Sequence, residues 1–501
     1  MRRTRIAGPL RIATPFVLAF ALFAYSPSFA LANVSVTTVS TDPFTNTGSF
    51  HATEVEPDTF SFGTTVVAAF QTGRFRDGGA SDVGWATTTD GGTNWAHGTL
   101  PGTTTFSTPA GSYSRVTDPS VAYDVSHNVW MVSTIALKVK GGVHGKAVLV
   151  SLSTNGGTTW GNPVTVRSVT RRQDFDKNWT VCDNTATSPH YGSCYTEYDD
   201  FGHGNQLHMS VSIDGGTTWT ESGIPAGSSV IGGQPVVQPN GTVVVPIDTG
   251  SEGAIESFVS TNGGTSFTGP YAISSISDHT EAGNLRSGPL PSADVDSSGE
   301  VYVVWADCRF RTSCASNDIV MSTSPDGTTW TTPVQIPIDA PSSTVDHFLP
   351  GITVQATTSG ATAHLGLLYY YYPVSNCGST CDLDVGYVSS TNGGTNWSAP
   401  TQLMGPMQLT WLPLTTQGYM VGDYMSASFA GAVARPVFAN ANAVAGKTCT
   451  LGDVTSCDEF MVAPSATQIL ATQSSVRSVS VTHALAGAHS DHAAHAAVTW
   501  R

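Results

Sequence analysis

The chain has 501 residues, 40% of them hydrophobic, and a formal net charge of −16 at pH 7. This acidic balance disfavours phosphate backbones and anionic membrane surfaces, so we expect neither nucleic acid nor membrane as a partner. Glycine (51 residues) and proline (28) are frequent, and only 12% of residues are charged. That composition is typical of a turn-rich globular protein rather than a disordered one.

The first 32 residues have the three parts of a secretory signal peptide. Arginines between positions 2 and 11 precede an apolar stretch over 12–25, and small residues follow at Ser28, Ala30 and Ala32. The apolar stretch is shorter than the roughly 20 residues that a membrane-spanning helix needs. We therefore predict cleavage after Ala30 or Ala32 and a secreted, extracellular product.

The eight cysteines fall into four couples that are close in the sequence. Eight cysteines allow 105 connectivities, so proximity decides the prediction. No CxxC or Cys/His spacing typical of zinc is present, and an exported chain favours disulfides. We predict the pairs Cys182–Cys194, Cys308–Cys314, Cys377–Cys381 and Cys449–Cys457.

A short motif recurs six times, with starts separated by 65, 59, 48, 63 and 67 residues. Its Asp or Asn can accept hydrogen bonds from backbone N–H groups just ahead, and the following Gly permits a tight hairpin turn. The final aromatic residue can bury a large apolar area between strands. The copies are TTDGGTNW (88–95), STNGGTTW (153–160), SIDGGTTW (212–219), STNGGTSF (260–267), TSPDGTTW (323–330) and STNGGTNW (390–397).

These motifs resemble the Asp-box (BNR) repeat of the sialidase, or neuraminidase, superfamily and of other β-propellers. The resemblance covers most of residues 33–464 and implies an all-β fold of four-stranded blades. Six motifs and a further hairpin pattern at 422–443 predict seven blades, with six as the alternative. The strand patterns at 33–41 and 458–464 would close the ring by joining both chain ends.

Three segments follow from these patterns: a signal peptide over 1–32, an Asp-box propeller over 33–464 and a flexible tail over 465–501. The tail carries His489, His492 and His495 at helical spacing, which could hold a metal, but it lacks supporting carboxylates. We predict no metal site and no cofactor. Calcium in the Asp- and Gly-rich turns is the alternative.

Ionisable residues gather on the rim opposite the repeated turns, where loops of a rigid scaffold carry function. By resemblance to sialidases, Asp118 or Asp176 would be the acid, and Tyr371 or Tyr424 the nucleophile with Glu197 or Glu281. Arginines would clamp a substrate carboxylate in bidentate fashion. The residues predicted for catalysis are Asp118, Asp176, Glu281 and Tyr424. Those predicted for substrate binding are Arg74, Arg115, Lys177, Arg286, Asp307, Arg309, His347 and Asp423.

Two functions fit this sequence. The resemblance implies a secreted sialidase-like glycoside hydrolase that acts on extracellular glycans or glycoproteins, as a monomer. The alternative is a non-catalytic propeller that binds a glycan or a protein. It is favoured because no Arg-Ile-Pro motif, the family's marker for its first arginine, follows the first strand; RFRDGG (74–79) stands there instead.

Overall fold

Antiparallel strands provide nearly all the regular structure of this chain. The structure is a computed structural model that describes residues 33–170, 172–225 and 227–465. The predicted signal peptide and the predicted tail from residue 466 onward, with its three histidines, lie outside the described residues. Among the residues that are described, no helix is long and apolar enough to cross a membrane.

The strands of the first third are rich in β-branched and aromatic residues, which suit a half-buried pleated surface. Glycine-rich turns separate them, as in the repeated motifs. They are β1 (Val36–Thr38), β2 (Glu54–Phe62), β3 (Thr65–Arg74), β4 (Ala80–Thr88), β5 (Ala96–Thr99), β6 (Arg115–Asp124), β7 (Val129–Val139), β8 (Val143–Ser153) and β9 (Val164–Ser168).

The middle third repeats the pattern with shorter strands. They are β10 (Phe175–Cys182), β11 (Cys194–Asp200), β12 (Gln206–Ser212), β13 (Thr220–Glu221), β14 (Val230–Gly233), β15 (Val236–Val237), β16 (Val243–Thr249), β17 (Ala254–Ser260) and β18 (Thr268–Ser275).

The last third contains the remaining strands, and the described part of the chain also has five single-turn 3-10 helices. The strands are β19 (Ser292–Val295), β20 (Val301–Asp307), β21 (Asp318–Ser324), β22 (Val334–Gln335), β23 (Asp346–Val354), β24 (Leu365–Tyr372), β25 (Asp382–Ser390), β26 (Thr401–Gln408), β27 (Leu414–Thr415), β28 (Gly418–Tyr419), β29 (Ser426–Ala430), β30 (Val433–Ala441) and β31 (Glu459–Pro464). The 3-10 turns are Phe201–His203, Ala282–Asn284, Thr312–Cys314, Gly360–Thr362 and Leu409–Trp411.

Consecutive strands pair into antiparallel sheets. Four-stranded sheets run β10 to β13, β19 to β22 and β23 to β26, and β14, β16, β17 and β18 form another with β15 beside β16. Strands β2 to β9 form one eight-stranded sheet, in which a single bridge between Ala80 and Val116 joins β4 to β6. Strands β27 and β28 form a small hairpin.

The first strands of these sheets lie next to each other. β2 contacts β6, β6 contacts β10, β10 contacts β14, β15 contacts β19, β19 contacts β23, and β29 contacts both β23 and β2. Apolar side chains fill the space between neighbouring sheets; Val67, Trp85, Val121 and Trp130, for example, form one cluster. The chain is therefore an all-β protein with a β-propeller arrangement.

The two ends of the described chain meet in one sheet. β1 pairs antiparallel with β31, so that Val36 lies opposite Pro464 and Thr38 opposite Val462. The sheet continues through β30 to β29. The sequence predicted this pairing of residues 33–41 with 458–464.

Each of the six repeated motifs lies between the third and fourth strands of a sheet. In the first copy, Asp90 Oδ1 accepts hydrogen bonds from the backbone N–H of Thr93 (3.0 Å) and Asn94 (2.9 Å). Gly91 and Gly92 have φ of 71° and 93°, which a side chain would disfavour. In the fifth copy, Asp326 and the single Gly327 form the same kind of turn with Thr328 and Thr329.

We expect Asp214→Ala to lower the free energy of unfolding by about 1–2 kcal/mol, because the turn loses its capping carboxylate. Asp214 accepts hydrogen bonds from Thr217 N (3.1 Å), Thr218 N (2.9 Å) and Thr218 Oγ1 (2.6 Å). Urea denaturation followed by tryptophan fluorescence measures the change. Ile213→Ala, a substitution of the exposed neighbour, is the control and should stay within about 0.5 kcal/mol. Equal effects of the two substitutions would contradict a role for the carboxylate.

All four predicted disulfides are confirmed. Cys308–Cys314, Cys377–Cys381 and Cys449–Cys457 each close the connection between the second and third strands of a sheet. Cys182–Cys194 joins facing residues at the ends of β10 and β11. The first three disulfides hold loops at the rim that lies away from the repeated motifs, whereas Cys194 faces Ser212, the first residue of the third motif.

Candidate functional site

Five strands, β2, β6, β10, β14 and β23, carry a bulge at a matching position. At each bulge the register against the second strand shifts, and one residue has a left-handed backbone. Non-glycine residues in this conformation are strained, and such strain persists where the surrounding structure enforces it. The residues are Glu56 (φ 57°), Asp118 (φ 50°), Lys177 (φ 45°), Gly232 (φ 65°) and Leu349 (φ 48°).

Three of these bulges bring charged side chains together. Lys177 Nζ lies 3.6 Å from Asp118 Oδ1 and also donates a hydrogen bond to Asp423 Oδ2. Arg286 grips Asp423 with two parallel hydrogen bonds, one of them from Nε to Oδ1 at 2.6 Å. All four side chains are at least nine-tenths buried, so their charges interact with little screening by water.

Arg74 and Glu56 join the cluster through Gln71. Arg74 donates from one terminal nitrogen to Gln71 Oε1 at 2.7 Å, and Gln71 Nε2 donates to Glu56 Oε2 and to Thr117 Oγ1 (3.0 Å). Arg74 is 3% exposed, and its Nε has no hydrogen-bond partner. The guanidinium therefore retains a donor that a bound acceptor could satisfy.

An open cleft lies over this cluster, with an internal volume of about 60 Å³. Three cationic side chains, Arg74, Lys177 and Arg286, line the same cleft as three carboxylates, Asp118, Asp174 and Asp176. Gly78, Gly79 and Gly145 also line it.

The cleft carboxylates differ in their surroundings. Burial, and then the charge of Asp118, raises the pKa of Asp176 to about 7. For Asp423 burial acts in the same direction, but Arg286 and Lys177 outweigh it and hold its pKa below the usual value. Burial, and then the charge of Arg286, lowers the pKa of Arg74 to about 10. The cleft thus combines a carboxyl group that can carry a proton at neutral pH with fixed positive charges.

Tyr424 borders a second cavity, which shares Asp118 and Lys177 with the cleft. Its hydroxyl donates to the carbonyl oxygen of Pro119 at 3.1 Å, and its ring meets Trp179 edge to face at 5.2 Å. Burial, and then the charges of Glu56 and Asp118, raises the pKa of Tyr424 well above its usual value. This environment disfavours the phenolate form of Tyr424, which a tyrosine nucleophile needs.

Of the twelve residues predicted for catalysis and substrate binding, seven come together. Arg74, Asp118, Asp176, Lys177 and Arg286 line the cleft, and Asp423 and Tyr424 adjoin it. Glu197, an alternative partner for the tyrosine, is fully buried against Gly233.

Five predicted residues make other contacts. Arg115 binds Asp77 at 2.6 Å and lies 3.8 Å over the ring of Phe75. Arg309 folds back onto Asp307, which also accepts a hydrogen bond from Trp305 Nε1 at 3.1 Å. Glu281 accepts from Asn317 Nδ2 at 3.0 Å, and His347 lies 3.9 Å from Asp339; neither is among the residues that line the cleft. Tyr371, the alternative nucleophile, packs near His347.

Sequence reasoning missed Glu56, Gln71, Asp174 and Gln417. A signal for Glu56 was present: Glu56-Pro57 and Asp118-Pro119 occupy the same place in successive first strands. Proline has no N–H to give to the ladder, which is a reason for a bulge at both positions.

A third and larger cavity, of about 620 Å³, lies further along the same first strands. Residues from β2, β6, β10, β15, β19, β23 and β29 line it, among them Phe60, Trp179 and Phe429. The second cavity shares Trp179 with it and Asp118 with the cleft. The charged cluster therefore lies where the cleft meets the space between the first strands.

Buried carboxyl groups should make the protein most stable in mild acid. Burial is the main cause that raises the pKa of Glu54, Glu56, Asp278 and Asp346 to about 8, and of Asp58 and Asp82 to about 7. Their folded-state pKa exceeds the unfolded value of about 4, so their stabilising effect is complete below pH 4 and is lost as pH rises toward 8.

We therefore expect Tm to fall by about 5 °C or more between pH 5 and pH 8. His347 acts oppositely, since burial lowers its pKa to about 4, but it is one group against several carboxyls. Calorimetric scans at constant ionic strength measure the trend. A Tm that is constant or rises over this interval would contradict the assignment.

No family model matches this chain, and no curated protein matches it. Among solved structures, the phage phi92 endosialidase is 11% identical; the match covers 90% of this chain and 72% of that one, with a TM-score of 0.47. The Hadza microbial sialidase Hz136 is 16% identical, with 64% and 63% covered and a TM-score of 0.45. A protein of unknown function from Dyadobacter fermentans is 14% identical, with 71% and 99% covered and a TM-score of 0.46.

Proposed function

We propose that this chain is a secreted, sialidase-like glycoside hydrolase that acts on glycans with a carboxylate-bearing sugar. One observation carries the proposal: Arg74, Lys177 and Arg286 line the same cleft as Asp118 and Asp176. Positive groups attract and orient an acidic sugar, while paired carboxyl groups are the usual catalysts of glycoside cleavage. The four disulfides are typical of exported proteins.

In this proposal Asp176 is the general acid. Its pKa of about 7 keeps a proton on a large fraction of molecules at neutral pH. That proton passes to the glycosidic oxygen as the bond to the leaving sugar breaks. Asp118, beside the Lys177 ammonium, acts on the other side of the sugar ring as the base that activates water.

Arg74 is the group proposed to recognise the substrate carboxylate. Asp423 already neutralises Arg286, and Lys177 is shared by Asp423 and Asp118. Arg74, by contrast, has an Nε donor without a partner and only an uncharged side chain, Gln71, as a hydrogen-bond acceptor. A sugar carboxylate that reaches the guanidinium would supply the missing acceptor.

We also propose seven blades for the propeller. The groups β2–β5, β6–β9, β10–β13, β14–β18, β19–β22, β23–β26 and β29–β31 with β1 each contain a central antiparallel ladder. Their first strands contact in succession, and β29 contacts β2. The wall of the largest cavity, to which every group contributes, supports the same number.

A glycoside panel tests the function. Purified full-length chain is incubated with chromogenic α-sialosides, β-glucuronides and the matching neutral β-glucosides. We expect turnover of at least one carboxylate-bearing substrate and much slower turnover of its neutral counterpart. Arg74→Gln should raise KM for the acidic substrate selectively. Absence of turnover for every acidic substrate would reject the hydrolase.

The second candidate is a non-catalytic propeller that binds an acidic glycan in the same cleft. It is favoured by the pairing of Arg286 and Lys177 with Asp423, because such a cluster also serves to hold the first strands together. Calorimetric titration with acidic oligosaccharides separates the two. Binding that is weakened by Arg74→Gln, without turnover, would support this candidate.

A further inference from the structure

A second group of ionisable side chains lies where the sheet β19–β22 meets the sheet β23–β26. Asp318 begins β21, Asp339 follows β22, and His347 is the second residue of β23. One ligand atom from each of these residues lies within 4.8 Å of the others. The three residues come from separate segments, so a ligand that they share would tie the two sheets together.

Arg311 orients the two carboxylates of this group. Its NH2 nitrogen pairs with Asp318 Oδ1 and, at 2.6 Å, with Asp339 Oδ1. Its NH1 nitrogen donates to the carbonyl oxygens of Ala340 (2.8 Å) and Ser343 (3.1 Å). One oxygen of each carboxylate is thereby engaged, and the second oxygen of each is left.

The remaining atoms are the observation that points to a ligand. Oδ2 of Asp318 and Oδ2 of Asp339 have no hydrogen-bond partner, and His347 Nε2 lies 3.9 Å from Asp339 Oδ2. His347 is 2% exposed and Asp318 is 2% exposed, so water reaches these atoms poorly.

We propose that Asp318, Asp339 and His347 bind one divalent transition-metal ion, with Zn²⁺ as the test ion. Two carboxylate oxygens and one imidazole nitrogen form a donor set that suits zinc, whereas calcium and magnesium prefer oxygen alone. Arg311, bound to the outer oxygens of both carboxylates, is the positioning residue. The ion would link the segment that the Cys308–Cys314 disulfide closes to β23. This position is away from the cleft.

The test uses the full chain with His489, His492 and His495 replaced by glutamine in every arm, because these tail histidines could bind zinc themselves. After treatment with EDTA, Zn²⁺ binding is measured by calorimetry and metal content by mass spectrometry. We expect one Zn²⁺ per chain and a rise in Tm. His347→Gln should weaken binding at least about 100-fold, while His364→Gln, whose imidazole contacts Gln355 in the same sheet, should leave it unchanged.

Cobalt supplies an independent readout. Co²⁺ bound in place of Zn²⁺ should give visible absorption bands of a low-coordinate site, and both His347→Gln and Asp339→Asn should abolish them. Near-UV circular dichroism verifies that each variant is folded; Asp339 is partly exposed and so is the safer substitution. Failure of the parent to bind Zn²⁺ at micromolar concentration, or equal binding by folded His347→Gln, would overturn the proposal.

Discussion

Asp423→Asn should lower the free energy of unfolding by about 3–5 kcal/mol, the range measured when one partner of a buried ion pair is removed. Asp423 is 3% exposed and is bound by both Arg286 and Lys177. The substitution changes little in shape but leaves two buried cations with only part of their counter-charge. Urea denaturation with the disulfides intact measures the loss.

Asp382→Asn is the matched control for this prediction. Asp382 is also an aspartate bonded to a side chain, Gln408, but it lies on the surface. Its substitution should change stability by less than about 0.5 kcal/mol. The double variant Asp423→Asn with Lys177→Met should lose less than the sum of the two single changes. Additive losses would show that Asp423 and Lys177 do not interact.

Asp176→Asn should lower kcat for an acidic glycoside by about 10²–10⁴-fold, the usual contribution of a general acid. Asparagine keeps the shape of the side chain but has no proton to give to the glycosidic oxygen. KM should change little, because Arg74 and the other cations remain. Steady-state kinetics on the best substrate of the glycoside panel measures both parameters.

The pH dependence of the rate tests whether Asp176 acts as an acid. An acid must be protonated to act, so kcat/KM of the parent should fall as pH rises through the pKa of Asp176, about 7. The descending limb should disappear in Asp176→Asn. Asp294→Asn is the control: burial raises the pKa of Asp294 to about 6, but the residue lines the large cavity rather than the cleft. A parent rate that rises above pH 7 would contradict the acid role.

Some of the predicted site residues lie in the cleft and others do not, and the difference depends on their local ion-pair partners. Asp118, Asp176 and Lys177 were predicted because they precede strands on one rim, and they do share the cleft. Arg115, Arg309 and Asp307 were chosen by the same rule, yet Arg115 binds Asp77 and Arg309 binds Asp307. Arg309 pairs with a residue two positions away, and Arg115 pairs with a residue in a neighbouring loop. A prediction based only on position at the rim does not take such local ion pairs into account.

The turns and disulfides of this chain could be predicted from the sequence alone, because each depends on residues that are close in the chain. Asp90 bonds to Asn94 four positions on, and no predicted disulfide spans more than 12 residues. The cleft could not be predicted in this way, because only the tertiary structure brings its residues together. Lys177 and Asp423 are 246 positions apart, and they meet only because the bulge of β10 and the segment that precedes β29 lie next to each other in the fold. Burial at that point, which no local pattern encodes, decides which carboxyl group keeps its proton and which is held as an anion.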